Sequence, residues 1–167
     1  MRWQCFGGRR LLAGCAILLA AGGAAGQISA RRTVEGVRRQ SSHCSAHLRR
    51  LAVAVLMYAR DYDEMLPPMG SSERFRAVAD PYVRLARVRP PCDGRDDPYT
   101  CPAFRRPYVP NRRTPRFPLP VHFSVFPRPA RSLLLRDARR HLDGTWGVAY
   151  VDGHVKRLSR LPPEGLR

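Results

Sequence analysis

The chain has 167 residues and a formal net charge of +17, a length that holds one domain of ordinary size. The charge invites polyanions, nucleic acid or anionic lipid. Yet of its 30 basic residues only Lys156 is a lysine, and the arginines run from Arg2 to Arg167 with neither a single stripe nor interleaved aromatics, so base-specific nucleic-acid recognition is not indicated.

Residues 1–30 read as a targeting segment. Arg2, Arg9 and Arg10 form a basic start, and Leu11 to Ala30 carries no charge, which is the pattern of a signal peptide or of a membrane anchor. The continuous apolar run, Leu11–Ala25, falls short of the ~20 residues that a spanning helix needs. Small residues at Ala24-Ala25-Gly26 offer a cleavage point before Gln27, and retention as an anchor stays open beside it. Leu12-Ala13-Gly14-Cys15 has the residue types of a lipoprotein box without the hydrophobic run before it. Arg9-Arg10-Leu11-Leu12 resembles a twin-arginine signal weakly. Every version puts the mature chain outside the cytoplasm, secreted or membrane-anchored.

From residue 31 to 62 the positions Val34, Val37, Ser41, Cys44, Leu48, Leu51, Val55, Tyr58 and Tyr62 recur at steps of three and four, which predicts a helix. Thirty residues at ~1.5 Å each make a rod of about 45 Å. Its first half is arginine-rich around a thin seam and is expected to protrude, while Leu51–Ala59 is apolar almost all round and is expected to pack on a β domain. Pro67-Pro68 sets its latest end. At that end Asp61, Asp63 and Glu64 could offer oxygen ligands to a cation such as calcium, together with Asp93, Asp96 and Asp97. The preferred reading is a solvated acidic exit that pairs with arginines, with no metal.

Residues 63–167 read as a Pro-rich loop region leading into a small antiparallel β domain. Most of the 16 prolines fall between Pro67 and Pro129, and each removes a backbone donor, so only short strands and fixed turns are expected there. Cys92 and Cys101 bracket a short loop, and outside the cytoplasm a Cys92–Cys101 disulfide is the favoured pairing, with Cys44 left as a small buried hydrophobe. A zinc site would need further Cys or His at ligand spacing, and none sits close by in sequence. Phe117, Phe123, Phe126, Tyr99, Phe104 and Tyr108 are read as core. Strands are expected at about 121–126, 132–137, 147–151 and 154–158. Asp152-Gly153 between alternating apolar runs predicts a two-residue type I′ hairpin, with Val151 opposite His154, Tyr150 opposite Val155, and Val148, Tyr150 and Val155 on the core side.

His141, Asp152 and His154 carry the residue types of a metal or acid–base site. A structural part is preferred: Asp152 and Gly153 make the turn, His154 follows it, and His141 hydrogen-bonds to it. The chain has no Gly-rich phosphate loop, nucleophile elbow or Cys-x-x-Cys. No catalytic residue, cofactor or small-molecule substrate is therefore assigned.

The run from Gln40 to Cys44, continuing through Leu51-Ala52-Val53-Ala54-Val55-Leu56-Met57-Tyr58-Ala59-Arg60-Asp61-Tyr62-Asp63-Glu64-Met65-Leu66-Pro67, resembles the segment after the membrane helix in bacterial pseudopilin-like proteins with a C-terminal H-x9-DG motif. Pro81-Tyr82-Val83, Cys101-Pro102, Ser132 to Asp137, and His141 ahead of Asp152-Gly153-His154-Val155-Lys156 follow in the same order. The likeness covers about residues 40–158. It implies a type IV pilin-like α+β fold, a long N-terminal helix packed on a small antiparallel sheet, in an exported, membrane-anchored protein. The chain departs from the family twice. Ten residues, Leu142 to Val151, separate His141 from Asp152 where the motif has nine. Gly8 is followed by Arg9, with Ala13 where the prepilin signature has its Glu, so the processing site and an assembly contact are absent. The expected function is a non-enzymatic extracytoplasmic structural or assembly role, with pilin-type protein partners and a membrane contact through residues 1–30. The alternative is a basic cell-surface module for DNA or another polyanion. A small exported hydrolase using His141 and His154 is the third class.

Overall fold

The computed structural model describes residues 11–86, 97–111 and 121–162, with side chains from Thr33 onward. The chain divides between Gly36 and Val37 into two units, and all the packing that follows belongs to the second. The fold is α+β, a helix with small antiparallel sheets.

Helix α1 (Leu11–Asp61) buries Cys44, Leu48, Leu51, Val55 and Tyr58, the three-and-four stripe of its second half, together with Ala52, Ala54 and Ala59. Earlier in the same stripe Val34 stays exposed. The helix ends because Asp63 and Glu64 take positive φ, 49° and 60°, and the Glu64 N–H turns back to the Ala59 carbonyl at 2.8 Å. Strand β1 (Met65–Leu66) follows. Among the described residues no helix is long and apolar enough to cross a membrane.

A second helix, α2 (Ser72–Leu85), stands where loop was expected. The Ser71 hydroxyl caps it by accepting the Arg74 N–H at 3.1 Å, and Phe75, Ala79 and Val83 make its buried stripe. Pro81 lies inside it; the ring costs one backbone bond, and the buried stripe on both sides of it holds the helix together.

The remaining strands are short: β2 (Thr100–Cys101), β3 (Arg106–Pro107), β4 (Val109–Pro110), β5 (Val121–His122), β6 (Leu133–Arg136), β7 (Trp146–Tyr150) and β8 (Val155–Leu158). The main sheet has the order β4-β6-β7-β8, and its pairings are all antiparallel. The expected strand at 121–126 does not join it. Val121 and His122 pair instead with Leu66 and Met65, and Phe123–Val125 turns as a 3₁₀ helix. The main sheet's fourth strand is β4, paired to β6.

The hairpin at Asp152-Gly153 also differs from the type I′ expectation. Ala149 faces Val155 and Val148 faces Lys156, one residue out of the expected register. Val151, Asp152 and Gly153 form a three-residue loop, closed by Gly153 N–H to Tyr150 O and Tyr150 N–H to His154 O, both 2.9 Å. Within it only Gly153 takes positive φ, 89°, the pattern of a turn followed by a glycine bulge. The cause lies in the neighbouring strand. Val151 is fully buried and its N–H goes to Ser132 O at 2.9 Å, so it belongs to β6's edge and is not free to pair with His154.

That shift exchanges the faces of the sheet. The side turned to α1 carries Gly147, Ala149 and Val151, with Val155 packed alongside. Val148 and Tyr150 are buried as expected, 0% and 7% exposed, but on the face away from α1, where Arg136 spreads over Trp146 and Lys156 over Tyr150. Small residues on the helix side let α1 come close. A Cβ at Gly147 would lie 2.9 Å from a Leu48 methyl, and one at Gly153 would lie 2.7 Å from a Leu56 methyl.

Candidate functional site

The first strut of the site is covalent. Cys44 on α1 is bonded to Cys101 on β2, with Cα atoms 5.0 Å apart and a sequence separation of 57. This corrects the expected Cys92–Cys101 pairing, and with it the idea of Cys44 as a leftover hydrophobe; Cys92 lies outside the described residues. The reason is placement of the strand: β2 lies along α1 because the buried His47 Nδ1 meets the Thr100 carbonyl at 3.1 Å and the Tyr108 hydroxyl donates to the Cys44 carbonyl at 3.0 Å. Cys44 also faces into the core on the helix stripe, so its sulfur meets Cys101 there.

The second strut is polar and buried. Asp137, at the end of β6, and His141 are 0% and 5% exposed. His141 Nε2 lies 2.8 Å from Asp137 Oδ2, and the same oxygen accepts the Gly147 N–H at 2.6 Å. The Asp137 N–H in turn donates to Gly147 O at 3.0 Å. Asp137 Oδ1 is buried and without a hydrogen-bond partner. Phe104 lies against the imidazole with ring centroids 4.8 Å apart. His141 thus bonds to Asp137, whereas a hydrogen bond to the Asp152-Gly153 turn had been expected. Its backbone closes a separate loop, with His141 N–H to Thr145 O at 2.8 Å and Gly144 N–H to His141 O at 2.9 Å.

The two struts meet. Ligand atoms of Cys44, Cys101, Asp137 and His141 all lie within 4.8 Å of one another. Nothing in the local spacing pointed to this: the four residues come from α1, β2 and the β6–β7 region, and only the packing of helix on sheet assembles them.

Next to this core, on the loop that follows His141, Asp143 collects the Ser41 hydroxyl (3.0 Å), the Thr145 N–H (3.1 Å) and hydroxyl (2.8 Å), and the Arg157 guanidinium. Its partial burial pushes the carboxyl upward, and the bonds from Thr145 and Ser41 with the charge of Arg157 outweigh that, leaving it below its ordinary value. Ser41 is the stripe position of α1 that the sequence marked as polar, and here it ties the helix to the loop.

The other candidate residues lie apart. Asp152 caps its own turn by accepting the His154 N–H at 3.2 Å and pairs with the His154 imidazole, which stacks on Tyr150 at 4.3 Å. Asp152 and His154 therefore form one local pair, and His141 is engaged elsewhere. Asp61 accepts the Tyr82 hydroxyl at 2.9 Å, Glu64 approaches His122, and Asp97 pairs with Arg76 at 2.7 Å. Among the described residues, Asp61, Asp63 and Glu64 are not part of a cluster with metal-ligand geometry; Asp93 and Asp96 lie outside those residues.

Chemically, a disulfide sulfur is no nucleophile, and the Asp137–His141 pair is closed in by Phe104 and the sheet. The arrangement as it stands cross-links: it holds the long helix, the β2–β3 hairpin and the β6–β7 loop to one point. Comparison with protein-family models, with curated proteins and with solved structures gives no match.

Proposed function

We propose that this chain is a non-enzymatic structural or assembly protein of the extracytoplasmic space, of the pseudopilin-like kind with a pilin-like helix on a sheet. The observation that carries the reading is the seating of α1: Leu48 and Leu56 close on Gly147 and Gly153 of the hairpin, and Cys44 is stapled to β2. A rod held on a small antiparallel sheet is the arrangement that the residues from 40 to 158 imply by their resemblance. The disulfide adds support, because such bonds persist in oxidising compartments and are rare in the cytosol. In this role residues 1–30 target or anchor the chain at the membrane, and its partners are proteins of a pilin-like assembly.

Fractionation of producing cells, with mass spectrometry of the mature N-terminus, tests the reading. The expected result is an oxidised chain in the membrane or outside it, either retaining residues 1–30 or beginning near Gln27. A full-length, fully reduced chain in the cytoplasm would contradict it. The net charge of +17 favours a competing reading, a surface module for DNA or another polyanion. That reading requires tight DNA binding whose log affinity falls steeply and linearly with log salt.

A further inference from the structure

We propose that Cys44, Cys101, His141 and Asp137 form a buried site for a divalent transition metal of zinc's character, which is open when the Cys44–Cys101 disulfide is reduced. Two thiolates, an imidazole and a carboxylate are ligand types that zinc takes in four-coordinate sites. In such a site the ligand atoms stand about 3.3–3.8 Å apart, as bonds of about 2.0–2.3 Å at tetrahedral angles require. Here the four ligand atoms already lie within 4.8 Å, and the Nε2 of His141 stands 2.8 Å from Asp137 Oδ2. To reach that geometry the sulfurs have to separate and the His141–Asp137 hydrogen bond has to open by about half an ångström.

A second observation points to a cation independently of the spacing. Asp137 is fully buried, yet its Oδ1 has no partner, and a buried carboxylate oxygen left unpaired is costly. The disulfide does nothing for that oxygen, whereas a metal ion would satisfy it. Gly147 N–H on Oδ2 then serves as the outer bond that orients a ligating carboxylate. Phe104 over His141 helps keep water from the site.

The chemistry balances. A phosphine reductant breaks the S–S bond and takes an oxygen from water to become a phosphine oxide, while the two protons of that water pass to the sulfurs. The metal ion then forms two sulfur–metal bonds and releases those two protons to solvent. His141 would bind the metal through Nε2, with the ring proton then on Nδ1. Oxidised and metal-bound forms are thus alternatives at one site.

The experiment uses the full chain carrying Cys5→Ser, Cys15→Ser and Cys92→Ser, reduced with phosphine and titrated with Co²⁺ and then Zn²⁺. Uptake of one Co²⁺ per chain is expected, with thiolate-to-cobalt charge-transfer absorption and tetrahedral d–d bands, displaced by Zn²⁺. The oxidised chain should give neither band. His141→Gln and Asp137→Asn should each weaken Co²⁺ binding by about tenfold or more and shift the d–d bands. Absence of the charge-transfer band in the reduced chain would overturn the proposal, as would an unchanged affinity and spectrum in both variants. Should those variants fail to fold, zinc K-edge absorption of the chain with both residues intact decides: sulfur with imidazole scattering is expected, and sulfur without imidazole overturns the site. If reduction itself unfolds the chain, zinc must restore its near-ultraviolet circular dichroism, and failure to do so overturns the proposal equally.

Discussion

At the scale of single residues, Gly147 has the least freedom to change. A Cβ there would lie 2.6 Å from Asp137 Oδ2 and 2.9 Å from the Leu48 methyl, so Gly147→Ala pushes at once on the buried carboxylate and on the helix. Overpacking of this kind costs about 1–3 kcal/mol, and urea denaturation should register a loss at the upper end of that range; an unchanged midpoint would mean that the helix does not sit there. Asp143 makes a different test. Its carboxyl is held below the ordinary value of 3.8 by Thr145, Ser41 and Arg157 against the upward push of burial. A lowered folded pKa contributes stability that is present above the unfolded pKa and is lost as pH falls through the folded one. Thermal denaturation from neutral pH down to about pH 2 should therefore show a smaller acid loss in Asp143→Asn than in the parent chain. Equal losses would remove Asp143 as the tie between α1 and the loop after His141.

At the scale of elements, the helix–sheet joint is stapled by Cys44–Cys101. Closing a loop of 57 residues restricts the unfolded chain by about 4 kcal/mol in the chain-entropy account. Cys44→Ser should lower stability by an amount of that order, measured by denaturant titration without reductant, and adding reductant to the parent chain should produce a comparable drop. In the hairpin, Gly153→Ala meets both a positive φ of 89° and the Leu56 methyl at 2.7 Å. It should cost more than about 1 kcal/mol by the same titration, whereas a loop free of α1 would show only the backbone part. The periodicity of Cys44, Leu48, Leu51 and Val55 was enough to mark the buried stripe of α1, because burial on one face leaves its mark at fixed steps. The Asp-Gly pair likewise marked a hairpin. Its register was not legible, since Val151's bond to Ser132 O comes from a strand fifteen or more residues away, and that one residue exchanged the faces. Helix α2 was hidden by Pro81, although Ser71 with Phe75, Ala79 and Val83 carries a cap and a stripe. The Cys–His–Asp cluster left no local trace at all: its members meet only through tertiary packing, and the nearer pair in sequence, Cys92 and Cys101, pointed the other way.

At the scale of the whole molecule, a charge of +17 is carried almost wholly by guanidinium groups, and several of those in the described residues have local work. Arg50 donates to the Val83 carbonyl at 2.8 Å, Arg76 pairs with Asp97, Arg84 pairs with Asp80 at 2.7 Å, and Arg157 holds Asp143. Binding to a DNA duplex of mixed sequence should accordingly be weak and without sequence preference, lost by moderate salt in a fluorescence-anisotropy titration. Tight, sequence-selective binding would shift the account towards a nucleic-acid function. Everything else depends on where the buried end of the helix is fastened. Digestion of the unreduced protein followed by mass spectrometry of its disulfide-linked peptides measures that directly. A linked pair joining the peptide that contains Cys44 to the one that contains Cys101 is the expected result, and a pair joining Cys92 to Cys101, with Cys44 free, would contradict it.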